Sequence, residues 1–384
     1  MRTKNILVLG GGFGGLATVN ELKRLLPAEW QVTLIEKKKK FSMGLANLWL
    51  MVGERKNPEE CEKEIAGLEK KGVKFVNEEV VSIDPENRYV KTIDNAWEAD
   101  YIVIALGAEL SPADIPGFEE SSLNLYDLYD AYKIQKELES FKEGRIVILI
   151  TRTPFKCPAA PYEAAFLINS YLKRRGIRDN IEIEIYTPEF QPMPVAGKEV
   201  GSALENMLHE QGIGYYTEQS VLKIDGKSKT VIFETEETRY DLLIGVPPHK
   251  APKVVKDAGL VDATGWIPVD PYIMKTKYEG IFAIGDITSI KLKNGMFLPK
   301  AGVFAESQGK VVAHNIAAEI RGEEKTVQFE GYGYCYIDVG EGKAAYAAGN
   351  FYKSPAPEVK LEPPSEKYKK EKEEFEKIRI ESWL

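Results

Sequence analysis

Near its amino terminus the chain reads Ile6-Leu-Val-Leu9, then Gly10-Gly-Gly12-Phe13-Gly14-Gly15, then an amphipathic stretch from Leu16 to Leu26 that Pro27 ends. A short, wholly apolar run suits a strand buried on both faces, the kind found in parallel sheets. Gly10, Gly12 and Gly15 fill the G-x-G-x-x-G spacing between this strand and the helix. The first glycine allows a tight turn, the second lets backbone approach a pyrophosphate, and the third lets helix and strand pack closely. Phe13 and Gly14 complete the loop, and the helix after it presents free N–H groups and a positive dipole end to the phosphates.

The next strand, Gln31-Val-Thr-Leu-Ile35, ends in Glu36. Glu36 stands where a carboxylate would hold the adenosine ribose hydroxyls of a dinucleotide without a 2′-phosphate. Two later segments, Tyr101-Ile-Val-Ile-Ala105-Leu-Gly107 and Gly280-Ile-Phe-Ala-Ile-Gly285-Asp286, resemble the paired signatures of the two-dinucleotide-binding flavoproteins. That resemblance implies FAD, with Asp286 on the ribityl chain. It also implies an α/β fold: two Rossmann-like domains of the FAD/NAD-linked disulfide reductase type plus a small C-terminal region. The expected division is 1–108 for the first half of the FAD domain, 109–265 for an inserted second Rossmann-like domain, 266–325 for the second half, and 326–384 for a C-terminal region with a terminal helix.

Composition narrows the remaining classes. A chain of 384 residues is long enough for two or three domains. Its net charge of -8 gives it no reason to seek nucleic acid. The sequence shows no apolar run of the roughly 20 residues that cross a bilayer, and Met1-Arg-Thr-Lys-Asn5 leads into a strand without a hydrophobic signal region. A cytoplasmic protein is expected, with peripheral contact on the cytoplasmic membrane face left open; a homo-oligomer is compatible with it. Cys61, Cys157 and Cys335, with His209, His249 and His314, form no ligand spacing, so no metal site is expected.

The inserted domain ought to carry a second glycine loop for NAD(P)H. Its strand is plain, Gly144-Arg-Ile-Val-Ile-Leu-Ile150, but Thr151-Arg-Thr-Pro-Phe-Lys-Cys157-Pro-Ala-Ala-Pro-Tyr-Glu163 follows. The loop has no glycine, and Pro154, Pro158 and Pro161 each remove a backbone donor that a phosphate could use. The domain is therefore expected to keep the fold without a nicotinamide site. Another reductant must then serve the flavin, and a cysteine stands where the glycines should be.

That loop, together with Leu298-Pro-Lys300-Ala301-Gly302 through Val312 and Gly333-Tyr-Cys335-Tyr-Ile-Asp338, resembles sulfide:quinone oxidoreductases and the flavoprotein subunit of flavocytochrome c sulfide dehydrogenase. The resemblance runs to about Gly349 and implies a redox-active pair, Cys157 and Cys335, beside the flavin. Sulfide would open their disulfide or polysulfide bridge, leaving a persulfide on one cysteine, and the freed thiolate would pass two electrons to FAD at the C4a position. Further sulfide would lengthen the chain and release polysulfide. Glu163, at a helix start near the sulfurs, is either an acid/base or a first-turn charge on the helix dipole. Lys300, with Ala301 and Gly302 opening a helix behind it, would stabilise negative charge on reduced flavin.

Some family features are missing. Ser121-Ser-Leu-Asn-Leu-Tyr126 stands where some relatives carry a third functional cysteine, and Phe41-Ser-Met-Gly-Leu-Ala-Asn47 lacks the cysteine that tethers flavin in the flavocytochromes. FAD is therefore expected to be non-covalent. Cys61, in a charged helical start, fits no family position. The acceptor is a quinone or a cytochrome. Tyr332, Tyr334, Tyr336, Tyr346, Phe351 and Tyr352 either line an apolar quinone slot or pack as strand residues. Pro355, Pro357, Pro363 and Pro364 read as a semi-extended linker. The helix expected after Ser365 has only a ragged stripe of Tyr368, Phe375, Ile378 and Trp383, so it packs on the body or forms a membrane-surface foot. Two rival readings are a type II NADH:quinone oxidoreductase and a flavin-carrying scaffold without sulfur chemistry.

Overall fold

The computed structural model describes residues 4–324 and 327–384. Five strands form a parallel sheet in the order Ile281–Ala283, Tyr101–Ile104, Lys4–Leu9, Trp30–Ile35, Lys74–Val76. Ile6 through Leu9 are fully buried, as a strand covered on both faces requires. Leu9 aligns with Ile35 and Ile104, and Ile104 with Ala283. Gly10, Glu36, Ala105 and Ile284 therefore leave the sheet along one carboxyl edge, where ligands bind in open α/β folds.

The inserted segment repeats this plan. Leu123–Asn124, Leu242–Val246, Gly144–Ile150, Ile181–Tyr186 and Gly214–Tyr216 form a second five-stranded parallel sheet. Each sheet is accompanied by a three-stranded antiparallel meander, Val80–Glu98 in the first and Val221–Arg239 in the second. Glu109–Leu110 pairs with His249–Lys250 where the chain crosses between the two sheets. The expected α/β architecture with two Rossmann-like units is what the chain adopts.

The first helix runs Phe13–Leu25, a turn earlier than its apolar stripe suggests, and crosses the long helix Gly302–Ile320 at close range. A Cβ on Gly309 would lie 2.7 Å from the Gly14 carbonyl oxygen. This crossing fixes the glycine loop against the returning half of its own domain.

The C-terminal region corrects one expectation. Glu358–Ser365 is not a linker: it is the edge strand of an antiparallel sheet with Tyr332–Gly340 and Lys343–Asn350. Its register shifts between the pairs Ala344↔Ser365 and Tyr346↔Glu362, where Pro363 and Pro364 sit. An edge strand tolerates proline because one row of its backbone groups needs no partner, and a bulge absorbs the missing donors. The last helix, Glu366–Trp383, lies on the body. Trp383 is buried and its ring centroid is 5.3 Å from that of Phe13, while Tyr368 stacks on Tyr346 at 5.2 Å. Ile378, counted in the ragged stripe, is 58% exposed. Apart from Trp383 the buried residues of this helix are charged: Lys369, Lys372 and Glu376 are all covered. Among the described residues, no helix is long and apolar enough to cross a membrane.

Candidate active site

A cavity of about 1480 Å³ runs from the glycine loop past Asp286 and Lys300 to Cys157 and Cys335. It exceeds the usual range of small-ligand pockets, roughly 300–1,000 Å³, and so has room for a dinucleotide and a second reactant. The glycine loop is tight against protein at two points. Gly10 has φ +103°, and a Cβ on Gly15 would lie 1.8 Å from the Gly10 carbonyl oxygen. At Gly12 a Cβ would meet nothing within 4 Å, so the backbone there faces open cavity. Glu36 accepts from the Gly11 N–H at 2.7 Å and the Lys38 N–H at 2.8 Å, placing its carboxylate on the cavity wall beside the loop.

Other residues expected at the cofactor take up the same wall: Ala105 and Gly107 after the strand Tyr101–Ile104, Gly285 and Asp286 after Ile281–Ala283, then Ala301 and Gly302. One oxygen of Asp286 is buried with no hydrogen-bond partner. Burial pushes its carboxyl above the usual range, and Lys300 and Lys156 act against that. A hydroxyl-bearing chain would satisfy it. An open cradle at Gly12, a carboxylate at Glu36 and an orphaned oxygen at Asp286 together fit FAD. Phe13 lines the cavity, and its ring also meets those of Phe41, Phe375 and Trp383. Gln308, which the sequence did not single out, accepts from the Gly285 N–H at 2.7 Å and holds that turn.

The cysteine loop replaces the second glycine loop. Cys157 has φ +50°, a left-handed conformation that non-glycine residues adopt at a cost and that recurs at functional sites. Its N–H donates to the Lys300 carbonyl at 2.7 Å; its carbonyl accepts from the Ala160 N–H at 2.9 Å and the Tyr126 hydroxyl at 3.3 Å. The helix behind it runs Ala160–Arg174 with Pro161 in the first turn, as the sequence implies. Cys335 lies on the strand Tyr332–Gly340, opposite Ala347. Both are free, half-buried thiols, exposed only as far as the cavity reaches them. Burial, reinforced by Glu163, pushes the Cys157 thiol up to about 12; burial and the neighbouring Cys157 and Glu163 raise Cys335 well above its ordinary value. Cys61 sits apart in a 3₁₀ turn, Pro58–Cys61, buried and pushed up to about 11 by that burial.

Glu163 is buried, 2% exposed. It occupies the first turn of the helix and also faces the cavity. Its carboxylate accepts from the Asp338 N–H at 2.8 Å and is paired with Lys372 of the C-terminal helix. Lys372 also reaches Asp338 at 2.9 Å, and Asp338 accepts from the Trp49 indole at 2.9 Å and lies 3.3 Å from Lys369. Sequence reading missed Lys372 and Trp49, and gave Asp338, at the end of the Gly333–Asp338 segment, no role of its own. Nothing local marks them, since a lysine in a Lys/Glu-rich helix reads as a solvated charge.

Lys300 is buried with its ammonium 3.4 Å from the Trp266 ring centroid, and it donates to the carbonyls of Asp286 and Thr288. Burial pushes its amine down to about 8, against the pull of Asp286. The aromatic segment divides between its two readings. Tyr334, Tyr336 and Phe351 line the cavity, with Phe375 of the last helix beside them. Tyr352 packs instead on Tyr272 and Phe329, and Tyr346 on Tyr336 and Tyr368. Among the described residues no cluster of His, Cys, Asp or Glu could hold a metal ion.

The family model for pyridine nucleotide-disulphide oxidoreductases matches residues 4–149 and 162–309, breaking off over the cysteine loop. The sulfide-quinone reductase of Aquifex aeolicus (strain VF5) is 30% identical over 369 residues, covering 92% of this chain and 84% of that protein. The crystal structure of the sulfide:quinone oxidoreductase from that bacterium superimposes with a TM-score of 0.88 at 28% identity, over 98% of this chain and 90% of that one. The mitochondrial sulfide:quinone oxidoreductase of Dictyostelium discoideum is 27% identical over 89% of this chain and 76% of its own length. A type II NADH:quinone oxidoreductase of Staphylococcus haemolyticus is 25% identical over 88% of this chain and 86% of its own.

Proposed function

The chain belongs to the pyridine nucleotide-disulphide oxidoreductase family and, within it, to the sulfide:quinone oxidoreductases, and on that premise we propose that it oxidises sulfide at Cys157 and Cys335 and delivers the electrons through FAD to a quinone. It is a flavin-dependent oxidoreductase and binds FAD. The observation that carries the sulfur chemistry is the cysteine loop. A left-handed Cys157, tied by its N–H to Lys300, opens on the same cavity as Cys335 and the glycine loop.

Hydrosulfide attacks disulfide sulfur readily. Its attack on a Cys157–Cys335 disulfide breaks that bond, forms a new one between sulfide and one cysteine, and releases the other as thiolate. Bound FAD supplies the two-electron acceptor. The net change is hydrosulfide to zero-valent sulfur, one proton and two electrons, with polysulfide as the product once further sulfide adds. Lys156 and Lys300 on the cavity wall favour an anionic reactant. The segment around Met43 offers no cysteine to tether the flavin, and FAD is held without a covalent bond. Tyr334, Tyr336, Phe351 and Phe375 provide an apolar wall for a quinone head.

Anaerobic titration of the purified protein with sulfide, followed by decylubiquinone, tests donor and acceptor together. Bleaching by sulfide and recovery with the quinone is the expected result; a flavin that sulfide leaves oxidised overturns the reading. The likeness to a type II NADH:quinone oxidoreductase motivates the rival donor. The proline-rich loop before Pro161 withholds the backbone donors a second pyrophosphate would need. NADH should leave the flavin oxidised, and reduction by NADH would install the rival.

A further inference from the structure

Three charged side chains meet in the protein interior below the cysteines, each from a different element. Glu163 comes from the helix behind the cysteine loop, Asp338 from the strand that carries Cys335, and Lys372 from the C-terminal helix. Their side chains are 2%, 1% and 3% exposed. Isolated charges at such depth are costly, so the cluster exists only because its members compensate one another. The compensation is unequal. Asp338 has Lys372, Lys369 and the Trp49 indole, whereas Glu163 has Lys372 and one backbone N–H. Glu163 and Lys372 line the cavity with the two thiols; Asp338 stands behind them.

We propose that Glu163 and Lys372 form the proton and charge relay of the disulfide-opening step, in which Glu163 takes the proton that hydrogen sulfide releases and Lys372 turns its charge from Glu163 to the cysteine thiolate. This rests on the cysteine chemistry proposed above. The balance is complete: hydrogen sulfide and the Cys157–Cys335 disulfide give a cysteine persulfide, a cysteine thiolate and a protonated Glu163. One S–S bond breaks, one forms, and the two electrons leave later with FAD as oxidant. Buried charge is conserved, because one carboxylate is neutralised as one thiolate appears. Without such an exchange the step would add an anion to a buried cluster whose charges are already matched.

The surroundings of Glu163 agree. Cys157 lies in its own loop, Cys335 and Asp338 on the strand packed against it, Lys372 and Lys369 on the C-terminal helix, Tyr126 across the cavity, and the neutral Trp49 beneath. Burial holds the Glu163 carboxyl above its ordinary value while Asp338 is held below, so a proton entering the cluster settles on Glu163. Lys372 favours, and Glu163 opposes, the anionic form of both thiols.

The test is the pH dependence of Cys157 alkylation by iodoacetamide in the thiol-reduced holoprotein, read by mass spectrometry. K372M should move the titration upward and slow alkylation at a fixed pH by at least about tenfold, one pKa unit. E163Q should move it downward, and K372R should restore the wild-type curve. A site merely loosened by substitution would hydrate the thiol and shift both variants downward. If K372M does not retain FAD, K372Q keeps a donor to Glu163 without the charge and must also shift upward. A downward or unchanged titration in K372M or K372Q overturns the relay. Failure of sulfide to bleach the wild-type flavin, with opposite shifts in the two variants, would instead overturn the sulfide reading alone.

Discussion

The backbone N–H of Cys157 donates to the carbonyl oxygen of Lys300 at 2.7 Å, and Lys156 and Lys300 form a parallel bridge beside it. The two residues belong to different Rossmann-like units, so this contact sets the cysteine loop against the segment where Gly302 opens its helix. The left-handed backbone of Cys157 is held from both sides, by Lys300 at its N–H and by Ala160 and Tyr126 at its carbonyl.

Cys157→Ser and Cys335→Ser should each slow reduction of the flavin by sulfide at least about a hundredfold, because either change removes one partner of the sulfur exchange. FAD content should stay near one per chain. Stopped-flow absorbance under anaerobic conditions reads the rate, and wild-type rates in both variants would sink the mechanism.

The two glycines of the loop should fail differently. A Cβ on Gly12 meets no protein atom within 4 Å, so Gly12→Ala should cost at most about 1 kcal/mol of stability. It would nevertheless stand where the backbone must approach a phosphate, and FAD should be lost on gel filtration. On Gly15 the Cβ would lie 1.8 Å from the Gly10 carbonyl oxygen, which should cost several times as much, about 3 kcal/mol or more. Equal denaturation midpoints for the two variants would contradict the assignment.

Glu189, elsewhere on the wall of the same cavity, gives a pH signature of its own. It is buried, accepts from the Tyr162 hydroxyl at 2.7 Å, and burial pushes its carboxyl up to about 7 from 4.5. A raised carboxyl is stabilising below its unfolded value and loses that contribution as pH rises through the folded one. From pH 4.5 to about 7 the wild type should lose about 3 kcal/mol relative to Glu189→Gln, at about 1.4 kcal/mol per pH unit. Urea denaturation of both proteins at pH 5 and pH 8 measures it. Parallel pH dependence would show that Glu189 ionises normally.

Trp49→Phe removes the indole N–H that reaches Asp338 at 2.9 Å in a fully buried setting. Loss of a donor to a buried carboxylate should cost about 1–3 kcal/mol. The readout is the denaturation midpoint, and an unchanged midpoint would mean that Lys369 and Lys372 satisfy Asp338 alone.

Much of the first unit was legible locally. Ile6–Leu9 is apolar because it is covered on both faces, and the residues after it have the spacing a phosphate loop demands. The missing second loop was equally plain, since proline and glycine make unmistakable local demands on backbone. The edge strand Glu358–Ser365 was misread as part of a linker because Pro363 and Pro364 argue against a central strand and say nothing of an edge. The last helix misled for a related reason: beside Trp383 its buried residues are charged, Lys369, Lys372 and Glu376, and Ile378 of the apolar stripe faces outward.

By itself the sequence determined a strand, a glycine loop of dinucleotide-phosphate spacing and a helix, that no glycine follows the corresponding strand of the inserted unit, and that a cysteine stands there instead. These are properties of short segments, governed by steric freedom, backbone donors and hydrophobic period. Only the tertiary structure decided that Cys157 and Cys335 share a cavity, and that Glu163 faces a lysine from the far end of the chain. A buried charge is stable only through partners brought from other elements, and those partners leave no local trace in the sequence.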